Sequence, residues 1–104
     1  MTVRVGVIGA GSMGRNHARV YSQLADAELV GVADADRATA EAVAAAYATS
    51  VSDVTELCAE ADAVSIAVPT AHHAEVARRC ITAGLAVLVE KPFGLGYTLN
   101  LANW

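Results

Sequence analysis

The 104 residues predict an α/β fold built on one parallel, doubly wound sheet of about five strands. Three observations carry that expectation. Short apolar runs alternate with stretches whose apolar residues recur at helical spacing. A glycine-rich turn, Gly9-Ala10-Gly11-Ser12-Met13-Gly14, joins the first run to the first helix, and Asp34 closes the second run.

Val3 to Ile8 is a β-branched run ending in glycines, as expected of a strand buried on both faces. Met13, His17, Val20 and Leu24 then draw one apolar stripe, predicting a helix from about Ser12 to Leu24 with that stripe inward. On this stripe His17 reads as a packed, hydrogen-bonded histidine. Glu28 to Ala33 is the second strand. Asp36 is placed to cap a helix over 37–47 that buries Ala40, Val43, Ala44 and Tyr47.

Thr49 to Val51 is a candidate for a minimal third strand. Ser52 or Asp53 caps a short helix through Ala61, with Glu56 three residues after Asp53 as in a capping box. Ala63 to Val68 is the fourth strand, ended by Pro69, and a helix from about His72 to Ala83 stops at Gly84, which accepts a left-handed conformation cheaply. Leu85 to Val89 is the fifth strand. Residues 1–93 are expected to form the domain, and 94–104 read as an irregular tail; against a dinucleotide fold of two β-α-β-α-β halves, the domain is incomplete at its C-terminal end.

Composition narrows the function. Apolar residues make up 55% of the chain and charged residues 17%, enough apolar material for one core. Seven basic residues face eleven acidic ones, for a net charge of −4, with no basic run. That argues against a nucleic-acid partner, since phosphate-backbone binding needs a basic stripe. The apolar runs are strand-sized, so no membrane helix of ~20 residues is expected, and cytoplasm is the expected location. Cys58 and Cys80 belong to no CxxC pattern, so no metal site is expected. Each falls on an apolar helical stripe, so both are predicted buried, reduced and inert.

A GxGxxG pattern gains meaning from its place between strand and helix. Gly9 permits a tight turn, Gly11 lets the backbone approach a pyrophosphate, and Gly14 lets the helix pack closely on the sheet. The phosphates of a dinucleotide would face the free amides and positive end of the helix. Asp34, about 20 positions onward, can accept hydrogen bonds from both ribose hydroxyls and would repel a 2′-phosphate. NAD is the expected cofactor, with NADP the alternative because Arg37 could pair with a phosphate.

The sequence resembles the glucose-fructose oxidoreductase, inositol dehydrogenase and MocA family over about Val3 to Phe93. The matching stretches include the glycine loop with His17, Ala33-Asp34 with Asp36-Arg37, Val68-Pro69-Thr70 with His73-Ala74-Glu75, and Glu90-Lys91-Pro92. The resemblance implies a Rossmann-like, NAD- or NADP-binding domain of enzymes that move a hydride between nicotinamide and a sugar or cyclitol hydroxyl. Lys91 matches the family lysine beside nicotinamide and substrate, and Pro92 matches a proline that often follows a cis peptide. Thr70 stands where family members often have Asn, and His73 matches a recurrent histidine.

The candidate cofactor-binding residues are thus Gly9, Gly11, Ser12, Met13, Gly14, Asp34 and Arg37 in the first unit. Pro69, Thr70, His73, Glu90 and Lys91 join them in the second, Lys91 also as the catalytic candidate. The resemblance implies a further strand and a substrate domain beyond these residues, as expected of a truncated or frame-shifted gene or of an excised fragment. Two expectations follow: a cofactor domain without turnover of its own, or a non-catalytic nucleotide-binding or interaction module. The uncharged fifth strand, left as an edge, predicts a homodimer or a partner chain that covers it.

Overall fold

A computed structural model of the chain describes residues 2–67 and 70–89. In chain order the elements are β1 (Val3–Ile8), α1 (Ser12–Gln23), β2 (Ala27–Ala33), α2 (Arg37–Ala46), α3 (Val54–Glu60), β3 (Ala63–Ile66), α4 (Thr70–Thr82) and β4 (Ala86–Val89). The strands form one sheet in the order β2-β1-β3-β4, with every neighbouring pair parallel. The chain winds from β1 outward to β2, then crosses back to β3 on the other side of β1. This reversal is the switch point at which doubly wound sheets hold ligands.

Period-two alternation in the strands divides the core between the two faces. Val7 and Val32 pack with Ala18 of α1 and with Ala40 and Val43 of α2. Ile8, Ala33, Val64, Ile66 and Val87 pack on the opposite face with Leu57 of α3 and with Ala77 and Cys80 of α4. Leu57 is fully buried over the paired glycines Gly6 and Gly31. A Cβ on Gly6 would lie 2.7 Å from its Cδ2, and one on Gly31 would lie 3.1 Å from it. The two glycines therefore make a recess in the sheet that a leucine fills.

Caps set the helix starts as expected. Asp36 accepts from the amides of Ala38 and Thr39, and Asp53 and Glu56 form a reciprocal capping box at α3. Gly84 follows α4 with φ of 92°, a conformation that favours glycine. The α2 face is also as expected, with Ala40, Val43 and Ala44 buried and Tyr47 half-buried.

Three expectations need correction. The sheet has four strands among the described residues, because the segment expected to supply a third makes only one bridge, Val32 with Val51. Two backbone bonds hold that bridge, Val32 N–H to Ser50 and Ser52 N–H to Val32, both 2.9 Å, before Asp53 caps α3 and ends the pairing. The stripe of α1 is also shifted. Its buried residues are Gly14 and Ala18, whereas Met13, Val20 and Leu24 are exposed and His17 is half-buried. Small residues face the sheet because α1 lies too close to it for larger ones. Tyr21 completes the inner face by reaching the hydroxyl of Ser65, a buried residue on β3, and its ring meets that of His17 edge-on at 6.2 Å. Third, Cys58 is half-buried rather than buried, although Cys80 is fully enclosed.

Candidate dinucleotide site

The carboxyl ends of β1, β2, β3 and β4 lie level. Ile8 pairs with Ala33 and with Ile66, and Ile66 pairs with Val89. The Gly9 amide donates to Ala33 at 2.7 Å and the Ala67 amide to Ile8 at 2.7 Å, so chain segments leave the sheet side by side along this edge.

Each glycine of the loop answers a separate constraint. Gly9 has φ of 100°, in the region where a Cβ is strained. At Gly11, the N-cap of α1, a Cβ would meet nothing within 4 Å, so the backbone there borders open space that a phosphate can approach. At Gly14 a Cβ would sit 1.6 Å from the Gly9 carbonyl oxygen, which makes the third glycine a packing requirement between helix and strand end.

Ser12 and Met13 open α1, and their exposed positions put the first-turn amides, which have no intrahelical acceptor, at this edge. No side chain caps that end and no acidic residue stands in its first turn. Both partial positive charge and unused donors are therefore available to an anion.

Asp34 sits just beyond β2, half-buried. One carboxylate oxygen accepts from the Ala10 amide at 2.6 Å and the other from the Asp36 amide at 2.7 Å. It thus ties the glycine loop to the end of β2, a role the sequence pattern alone did not reveal, and each oxygen keeps further lone-pair capacity for ribose hydroxyls. Arg37, the first residue of α2, is exposed and lies 3.5 Å from Glu41 one turn on, an ion pair worth little at the surface.

Thr70 begins α4, two residues earlier than expected, and His73 falls in the same first turns. Pro69, Glu90 and Lys91 lie outside the described residues, as does Pro92. Val89 ends β4 one residue before Glu90, level with the edge that carries Gly9 and Asp34. Among the described residues no group of three or more metal-ligating side chains occurs, and no helix is long and apolar enough to cross a membrane.

An open glycine-loop backbone at an uncapped helix start, with an acid tethered beside it at the switch point, defines a dinucleotide-binding domain of the Rossmann class. The chain belongs to the glucose-fructose oxidoreductase, inositol dehydrogenase and MocA family. That family, described as an oxidoreductase family with an NAD-binding Rossmann fold, matches residues 3–103.

Among curated relatives, inositol 2-dehydrogenase of Rhizobium meliloti strain 1021 is 50% identical over 97 residues, covering 91% of this chain and 29% of the relative. The solved UDP-N-acetylglucosamine 3-dehydrogenase of Acidithiobacillus ferrooxidans superposes with a TM-score of 0.84 at 43% identity, covering 91% of this chain and 31% of that one. The myo-inositol dehydrogenase of Lactobacillus casei, solved with NAD(H) and myo-inositol, superposes with a TM-score of 0.80 at 33% identity, covering 88% and 29%. The chain thus spans about three-tenths of the length of the relatives it matches.

Proposed function

We propose that this chain is the cofactor-holding part of an oxidoreductase that moves a hydride between nicotinamide and a hydroxyl-bearing carbon of a sugar or cyclitol. The observation that carries this reading is the meeting of the glycine loop, Asp34 and the end of β4 at one sheet edge, in a chain 50% identical over 97 residues to an inositol 2-dehydrogenase. NAD supplies the hydride acceptor. The first-turn amides of α1 hold its pyrophosphate, with Gly11 giving the backbone room, and Asp34 accepts from the adenosine ribose hydroxyls. Pro69, Thr70 and His73, which follow β3 in the sequence, border the cofactor, and Lys91 polarises the substrate hydroxyl and carries its proton.

Asp34 favours NAD over NADP, because a 2′-phosphate would meet a carboxylate already fixed in place by two amides. Asp34→Ala should weaken NAD binding by about 1.5–3 kcal/mol, the usual worth of hydrogen bonds to a charged group, roughly a tenfold to 150-fold loss in a binding titration. An unchanged dissociation constant would remove Asp34 from the site.

By itself the 104-residue chain holds dinucleotide without turnover, since the relatives it matches are more than three times its length. The alternative is a module that binds nucleotide with no chemistry in any assembly. NADH production after adding a polypeptide equivalent to the rest of a relative would exclude it. The chain is expected in the cytoplasm.

Association is also expected. Among the described residues β4 pairs only with β3, and its Ala-Val-Leu-Val sequence lacks the charge or proline that blunts a sheet edge. Two copies related by a two-fold axis could pair edge to edge. Light scattering at tens of micromolar should report a dimer, and a monomer at that concentration would refute the pairing.

A further inference from the structure

Cys58 and Cys80 stand 22 positions apart in sequence, yet their sulfur atoms lie 3.9 Å apart where α3 packs on α4. The Cys58 thiol also lies 4.0 Å from the Arg79 carbonyl oxygen, and the Arg79 guanidinium donates to the Thr55 hydroxyl at 2.9 Å, bracing the same helix pair. The two thiols differ in access. Cys58 is half-buried and lines an open hollow with Thr55, Arg78, Arg79 and Thr82, whereas Cys80 is fully buried.

We propose that Cys58 and Cys80 form an oxidisable dithiol that a peroxide converts to an intrachain disulfide linking α3 to α4. Bonded sulfurs lie about 2.05 Å apart, so closure needs roughly 1.9 Å of approach from the 3.9 Å separation, available to side-chain rotation with a small shift of one helix.

The order of events follows from access. Cys58, open to the hollow, attacks the peroxide, cleaving its O–O bond. Its sulfur becomes a sulfenic acid, and the departing oxygen leaves as water or an alcohol after taking up the thiol proton. The Cys80 sulfur then displaces the hydroxyl from Cys58, and that hydroxyl leaves as water with the Cys80 proton. Two thiols and one peroxide give one disulfide, one water and one further water or alcohol; each sulfur loses one electron and the peroxide gains two. Cys80 is the second partner because burial, and next the neighbouring Cys58, push its thiol up to about 12, which keeps it protonated and unreactive toward a soluble oxidant.

The bond would close a loop over residues 58–80, which holds β3 and most of α4. It would form under oxidant and reopen in a reducing compartment.

The test is simple because the chain has two cysteines. The reduced, folded chain is exposed to hydrogen peroxide. Expected are loss of both titratable thiols, an intact mass lower by two hydrogens, a Cys58–Cys80 peptide cross-link and full reversal by dithiothreitol. The oxidised form should melt at least about 5 °C higher, as a loop closed in the denatured chain implies. Cys80→Ser should halt at a Cys58 sulfenic acid that dimedone traps, while Cys58→Ser should leave Cys80 modified at least tenfold more slowly. Two free thiols after exposure, cross-links only between chains, equal reactivity of the two cysteines, or a lower melting point for the bridged form would overturn the proposal.

Discussion

Gly14→Ala is expected to lower stability by about 3 kcal/mol and to abolish measurable NAD binding. The added Cβ would lie 1.6 Å from the Gly9 carbonyl oxygen and 2.7 Å from the Gly9 carbonyl carbon. Both are backbone atoms of the turn, so no side-chain rotation relieves the overlap. Relief requires α1 to move off the sheet, which strips Ala18 from its fully buried contact with Val7 and Val32 and breaks the Tyr21–Ser65 hydrogen bond. The same movement carries the first-turn amides away from Gly9 and Asp34, so affinity falls together with stability. Urea denaturation and a binding titration on the same preparation check this. Wild-type stability with wild-type affinity would mean that the close approach at Gly14 is not needed.

Lys91→Ala is expected to leave NAD affinity within about threefold while removing most turnover in a form completed by the rest of a relative. General acid-base groups supply about 10²- to 10⁴-fold in rate, and burial readily tunes a lysine for that work. Lys91 stands two residues after Val89, which is level with Ile66 and hence with the edge that carries the glycine loop. A lysine there would act on the substrate rather than on the adenosine half of the cofactor. The separation of effects is the test: turnover unaffected by the substitution would take Lys91 off the catalytic list, and a large loss of affinity would assign it to cofactor binding instead.

Much of the fold was legible because local chemistry and global fold agree at particular residues. Asp36, the Asp53–Glu56 box, Gly84 and the glycine loop each satisfy a backbone need with a short-range signal, and the structure puts each to that use. The phase of α1 is not legible in its sequence, because Met13, Val20 and Leu24 have helical spacing and large apolar side chains yet are exposed. The sheet instead selects Gly14 and Ala18, since the distance fixed at Gly14 leaves no room for bulk. Spacing reveals a stripe but not how near the partner surface comes.

The short third strand failed for a related reason. Only Val51 aligns with β2 before the α3 cap begins. At the candidate site the strand-end positions of the glycines and Asp34 are legible from spacing. The amide of Ala10 as the partner of Asp34, and the meeting of Cys58 with Cys80, depend on long-range packing that no local pattern encodes.

Calorimetric titration of the purified chain with NAD and, separately, with NADP addresses dinucleotide binding at the glycine loop most directly. Saturable binding of one NAD per chain, tighter than NADP and absent from Gly14→Ala, is the expected result. No saturable binding of NAD by the folded chain, or NADP binding as tight as NAD or tighter, would contradict it.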